Sequence, residues 1–349
     1  ISFGNWIGVV MLVSVVSIYW EAEKTSDGLL SSGRRVGSKW ERLWGHAIKL
    51  FPRATRTSLL QVVTSMRKLL IGCGYLGERV AREWLRQGDE VWVLTRSTAN
   101  AERFASLGLK PVIGDVLDPE SLEKLPGAES VLYAVGFDRS AQASKRTVYV
   151  DGLSNVLSKI GSNCERFLYV SSTSVYGQDA GELVDESSLT RPKEENGCVC
   201  RDAEAVARQV KSTAIVLRLA GIYGPGRLLA RVEQLRRGDR LAGNPNAWLN
   251  LIHVDDAVRA VLAAETRGVS GATYLVCDDL PPRRHEYYSA LAQMVGAPVP
   301  KFEELAADAP ERQRLNKRCV NRRLREELRV ELQFPTINDG LRSSLEATR

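Results

Sequence analysis

Histidine and closely spaced cysteine are both scarce in this chain of 349 residues. There are three histidines, and the six cysteines stand scattered at 73, 164, 198, 200, 277 and 319. Cys198-x-Cys200 is close-spaced but no second pair matches it, so neither a metal site nor a disulfide framework is expected. Thiols used in this way suit a reducing compartment. No internal repeat or low-complexity tract stands out. Arg312, Arg314, Lys317, Arg318, Arg322 and Arg323 gather near the C-terminus, yet acids alternate with them and no nucleic-acid module accompanies them. No nucleic-acid partner is expected.

What is present belongs to a globular protein. Hydrophobic residues make up 44% and charged residues 26%, and the length suits one large or two moderate domains. Residues 1–65 carry eight Lys or Arg against four Asp or Glu, so they hold most of the net charge of +6 and the body is nearly balanced. Residues 1–20 have no charge, and Trp6 to Trp20 is almost wholly apolar, near the lower limit for crossing a bilayer. The basic n-region and cleavage site of a secretory signal are missing. Two readings of residues 1–65 stand: an apolar anchor with a basic linker, or translated upstream sequence outside the working protein. The second is favoured, because the chain starts at Ile1 and Met66 directly precedes the first strand. Both readings leave residues 66–349 cytoplasmic, with a membrane anchor only if residues 1–65 are genuine.

The chain is organised around Met66 to Arg96. The apolar run Leu69-Leu70-Ile71 predicts a buried strand, and Gly72-x-Gly74-x-x-Gly77 follows it and opens an amphipathic helix. Gly72 allows a tight turn, Gly74 lets backbone approach a pyrophosphate, and Gly77 brings helix and strand together. The helix start offers free N–H groups and a positive dipole end to phosphates. Gly88 suits the C-cap, before a strand at Glu90–Thr95.

The remaining pattern predicts a helix near Asn100–Leu107, a strand at Lys110–Ile113, a short helix from Asp118-Pro119 and a strand at Ser130–Val135. A helix over about Ala141 to Ile160 and a strand at Arg166–Ser171 follow. Alternation at this spacing argues for an α/β fold with a parallel sheet covered on both faces. The polar run to Gly197 reads as an active-site rim. Further elements are expected at Arg201–Lys211 (helix), Thr213–Leu217 (strand), Arg227–Arg237 (helix), Leu249–His253 (strand), Val254–Thr266 (helix), Ala272–Val276 (strand) and His285–Val295 (helix). The tail Ala306–Leu328 is read as helical, thinning toward Pro335.

Five motifs in this order resemble the extended short-chain dehydrogenase/reductase family, the NAD-dependent epimerase/dehydratase group. They are the glycine turn, Gly114-Asp115, Ser171-Ser172-Thr173-Ser174-Val175-Tyr176-Gly177, Arg218-Leu219-Ala220-Gly221-Ile222-Tyr223-Gly224-Pro225-Gly226, and Ile252-His253-Val254-Asp255-Asp256. The GxG form, with Asn316-Lys317-Arg318 and Asn321-Arg322-Arg323-Leu324, resembles an atypical branch. The resemblance implies a Rossmann-type doubly wound sheet, mainly residues 66–220, and a smaller substrate-binding lobe, mainly 221–349. Strand 249–253 and helix 254–266 are expected to return to the first domain. It implies cofactor contacts from Gly72, Cys73, Gly74, Tyr75, Leu76 and Gly77, from Thr95, Arg96 and Ser97, from Asp115 and Val116, and from Ala134, Val135 and Gly136. Ser172 matches the Ser or Thr that hydrogen-bonds the reacting oxygen, and Tyr176 matches a structural tyrosine. Tyr223 is expected near the nicotinamide.

The family's reaction needs a Tyr and a Lys four residues later, the Lys lowering the Tyr pKa and holding the cofactor ribose. Registering on Glu204 puts Asn196 and Cys200 at those positions, and no Tyr occurs from Gly181 to Thr213. Ser172 remains as a donor, with Tyr223, Tyr176, Asp179 or His253 as alternatives for proton transfer. Cys200 is either a nucleophile near a helix start or a filler beside the cofactor.

After the second strand an NAD site offers a carboxylate to the ribose 2′-OH; this chain offers Thr95-Arg96-Ser97. Arg96 can pair with a 2′-phosphate, which favours NADP(H) over NAD(H), or stack on the adenine, which permits either. Two functions stand. One is an atypical oxidoreductase or epimerase-like enzyme acting on a small carbonyl, polyol or nucleotide-sugar substrate. The other is a catalytically inactive NADP(H)-binding regulatory or sensor protein. The resemblance also allows a homodimer.

Overall fold

The computed structural model describes residues 65–138, 142–304 and 311–347. The expectations for residues 1–65 lie outside the described residues, apart from residue 65 itself.

Seven parallel strands form the central sheet. In chain order they are β1 (Arg67–Ile71), β2 (Glu90–Thr95), β3 (Lys110–Ile113), β4 (Ser130–Tyr133), β5 (Arg166–Ser172), β7 (Ile215–Leu219) and β10 (Thr273–Val276). Their spatial order is β3-β2-β1-β4-β5-β7-β10. The order reverses between β1 and β4, and a doubly wound sheet opens its ligand crevice at such a reversal. Successive side chains of β1 enter different cores. Leu70 joins Val80, Trp84 and Leu168 on one face, while Leu69 and Ile71 join Val131, Phe167 and Leu153 on the other. Burial on both faces explains the unbroken apolar runs.

Helices α1 (Gly77–Gln87) and α6 (Val254–Arg267) pack on the first face; α3 (Gly152–Lys159) and α4 (Glu195–Val210) pack on the second. A buried network clamps the first face. Lys68 donates to Glu265 at 2.6 Å, and the Trp84 indole donates to the other Glu265 oxygen at 2.7 Å. A third core, holding Tyr223, Val232, Tyr287, Leu291 and Leu341, builds a C-terminal lobe. It joins α5 (Leu229–Arg236), α7 (Arg284–Val295) and α10 (Ile337–Glu346).

Several elements depart from the pattern read in the sequence. Strand β9 (Leu251–His253) pairs with β8 (Gly221–Tyr223) in a separate two-stranded sheet, while its Ile252 packs in the first-face core with α6, and β10 adds to the main sheet. The described part of the tail is not one helix. Helices α8 (Glu311–Arg314) and α9 (Arg322–Glu326) flank β11 (Lys317–Cys319), which pairs with β6 (Glu182–Val184) in the rim. Long-range bonds override the helical pattern there. Asn250 donates to the Lys317 carbonyl at 2.9 Å and accepts from the Cys319 N–H at 2.8 Å, and buried Lys317 donates to the Tyr176 carbonyl at 2.9 Å. Helix α4 starts at Glu195, ahead of the expected Arg201, so Asn196 and Cys200 both lie on it. Asp118 closes a turn onto the Glu120 N–H, and the short helix begins at Ser121 as 3₁₀. The helix after β4 opens at Lys145 and winds as π over Thr147–Asp151 before α3.

Candidate functional site

The glycine turn fills the gap between Ile71 and Gly77. Gly72 has φ 98°, and a Cβ there would lie 2.5 Å from the Ala134 carbonyl. Gly77 is barred from a side chain by the Gly72 carbonyl. A Cβ on Gly74 or Gly136 meets nothing within 4 Å. Two glycines thus close the turn and two present bare backbone to open space. That space, beside the α1 N-terminus, fits a dinucleotide pyrophosphate.

The open space belongs to a cleft of about 880 Å³ over the crevice. All fourteen residues expected at the cofactor line it, together with Ser172 and Cys200. At one end Ser97 caps α2 (Thr98–Ser106), its hydroxyl accepting from the Asn100 N–H at 3.3 Å. Arg96 is 58% exposed, with its guanidinium 3.6 Å from the equally open Asp138 carboxylate. Asp115 holds its loop by accepting from the Leu117 N–H at 2.9 Å.

At the other end lie Ala134 to Phe137, Ser172, Cys200 and Tyr149. Ser172 Oγ accepts from the Ser174 N–H at 3.1 Å, so its own proton points elsewhere. The backbone behind it is fixed by a buried cluster. Arg218 grips both Glu204 oxygens at 2.9 and 2.8 Å and donates to the Tyr176 hydroxyl at 2.8 Å, while Ser171 donates to Glu204 at 2.6 Å. These bonds tie β5, β7 and α4 together. Burial pushes the Cys73 thiol up to about 12 and raises that of Cys200 as well. A thiol held protonated is a poor nucleophile, and Cys200 is buried in the cleft wall.

Other candidates lie away from the cleft. Asn196 donates to Ser174 Oγ at 3.2 Å and is not among the lining residues. Tyr223 is buried in the lobe with Gly340 against its ring, and burial raises its pKa. Tyr176 donates to the Asp185 carbonyl at 2.7 Å, and Asp179 pairs with Lys193. His253 is buried; its Nδ1 accepts from the Asp255 N–H at 3.3 Å as the α6 cap. Tyr149 was not singled out by the sequence, because its place in the cleft depends on the π winding.

The model of the NAD dependent epimerase/dehydratase family matches residues 69–277, which takes in the cleft and most of the sheet. The chain belongs to this family. By family and fold it is an NAD(P)-binding, epimerase-like oxidoreductase of small carbonyl, polyol or sugar substrates. It is 27% identical over 250 residues to protein YeeZ of Escherichia coli K12, spanning 68% of this chain and 87% of that one. A functionally unknown conserved protein from Silicibacter pomeroyi superposes with TM-score 0.67 at 28% identity, over 82% of this chain and all of that one. UDP-glucuronic acid 4-epimerase from Bacillus cereus, solved with NAD, shares the fold at TM-score 0.67 and 17% identity, over 81% and 98% of the two chains. Among the described residues no helix is long and apolar enough to cross a membrane.

Proposed function

We propose that this protein is an NADP(H)-preferring oxidoreductase that interconverts a small carbonyl compound and its alcohol. The observation that carries the reading is the cleft. Its bare glycine faces at Gly74 and Gly136 face open space, and the β2 end supplies a guanidinium and a helix cap where an NAD site has a carboxylate. Gly72 to Gly77 hold the pyrophosphate, Asp115 and Val116 border the adenine, and Ala134 to Gly136 border the nicotinamide. Arg96 and Ser97 take the 2′-phosphate. The exposed Arg96–Asp138 pair is worth about 0–1 kcal/mol, so a phosphate can displace it.

When bound, the nicotinamide gives or takes a hydride. The chain holds the substrate oxygen on Ser172, excludes water behind Cys200 and Tyr169, and supplies a proton at that oxygen. A cytoplasmic home suits the free thiols. The missing Tyr and Lys at 196 and 200 favour a second reading, a sensor that binds NADP(H) without turnover. Thermal shift with NADP and NAD, followed by NADPH oxidation across a panel of aldehydes, ketones and nucleotide-sugars, tests both. A stronger shift with NADP and oxidation by some panel member are expected. Binding without any oxidation would select the sensor.

A further inference from the structure

A proton must reach the substrate oxygen, and four tyrosines line the cleft: Tyr75, Tyr133, Tyr149 and Tyr169. Tyr133 and Tyr169 are buried side by side with rings 5.9 Å apart. Tyr75 donates its proton to the Pro225 carbonyl at 2.9 Å, and the guanidiniums of Arg79 and Arg227 lie 4.1 and 4.4 Å from its ring centre. Tyr149 differs from all three. It is half-buried, and its oxygen accepts from the Phe137 N–H at 3.1 Å, so its own proton is not spent on that bond.

The π-wound turn carries Tyr149, and such winding is frequent where a helix is bent to aim a side chain at a site. Lys145 precedes it by four residues, one turn earlier on the same helix. Phe137 sits between them, with Lys145 Nζ 5.4 Å from its ring centre and the Tyr149 ring edge-on at 6.5 Å. Arg146 bonds Asp202 on α4 at 2.6 Å, fastening this turn to the helix that lacks the usual pair.

We propose that Tyr149 is the catalytic proton-transfer residue of this cleft and Lys145 its positioning residue, so that a Lys-x-x-x-Tyr on the helix after β4 replaces the pair missing from α4. The inference rests on the oxidoreductase reading above. In the reductive direction a hydride from the reduced nicotinamide brings two electrons to the carbonyl carbon, and the π pair moves to oxygen. That oxygen takes the Tyr149 proton, giving an alcohol, and solvent reprotonates the phenolate. The reverse steps oxidise the alcohol. The phenol is protonated near neutrality, as a donor must be, and burial raises its pKa above the ordinary value.

Tyr149→Phe should cut carbonyl-dependent NADPH oxidation about a hundredfold while leaving NADPH affinity unchanged. Lys145→Gln should move the alkaline limb of the pH–rate profile, and Lys145→Arg should restore it. Tyrosinate absorbance in the cofactor-free protein gives an independent readout: one ionisation should vanish in Tyr149→Phe and shift to higher pH in Lys145→Gln. Full activity in Tyr149→Phe, with an active wild type, overturns this inference and leaves the oxidoreductase reading intact. Wild-type protein that binds NADPH but oxidises it with no carbonyl overturns the reading and the inference together. If Tyr149→Phe fails to fold, a Lys145→Gln protein with an unshifted titration and pH profile overturns the proposal by itself.

Discussion

The two ends of the cleft rest on the same sheet but differ in how they are specified. At the glycine-turn end the requirement is on backbone: space for a turn, bare N–H groups and close packing. Gly72, Gly74 and Gly77 meet it locally, within one strand-turn-helix unit. At the Ser172 end the requirement is for particular side chains around one atom, and several elements can supply them. Helix α4 keeps its place through Glu204 and Arg218 although positions 196 and 200 hold Asn and Cys. The scaffold at this end therefore stands without the usual pair on α4, and the proposed role of Tyr149 would place the chemistry on a different helix.

The largest expected effect probes the scaffold at the second end. Glu204→Ala leaves Arg218 buried without its partner and should cost about 3–5 kcal/mol, read by denaturant unfolding. Equal stability would mean that α4 is held by apolar packing alone. Gly72→Ala comes next. A methyl group 2.5 Å from Ala134 backbone, at φ 98°, should cost about 2–4 kcal/mol, whereas Gly136→Ala should change stability by about 0.5 kcal/mol or less and weaken cofactor binding instead. Similar losses for the two glycines would erase the distinction between turn and cradle.

Ser172→Ala should slow turnover about a hundredfold with little change in stability. Arg96→Ala should reduce the preference for NADP over NAD about tenfold, measured by competitive binding, which equals about 1.4 kcal/mol. An unchanged preference would assign Arg96 to the adenine face. The smallest effect concerns Cys73. Its thiol should resist alkylation at pH 8, because burial holds the pKa near 12. The sign follows from the raised folded value: the thiol's contribution to stability is complete below its ordinary pKa of 9.0 and fades as pH climbs toward 12. Rapid labelling at pH 8 in the folded protein would contradict the raised pKa of this half-buried thiol.

The difference between the two ends also explains what the sequence discloses. Buried strands β1, β4 and β5 are legible because parallel sheets bury both faces, and Gly88 marks the end of α1 as a left-handed cap. All fourteen expected cofactor contacts line one cleft because they lie at or just after the ends of β1, β2, β3 and β4, strands the pattern locates. Legibility stops where distant bonds decide conformation. Lys317 to Cys319 read as helix until Asn250 and Tyr176 claim their polar groups. Tyr149 has an ordinary helical spacing, and one extra residue in a turn decides where its hydroxyl goes.

The most direct test of an intact cradle with relocated chemistry is single-turnover oxidation of NADPH bound to wild-type protein. NADPH fluorescence should show saturable binding and then fall when a carbonyl substrate from the panel is mixed in. Saturable binding whose fluorescence stays constant across the whole panel would contradict the account.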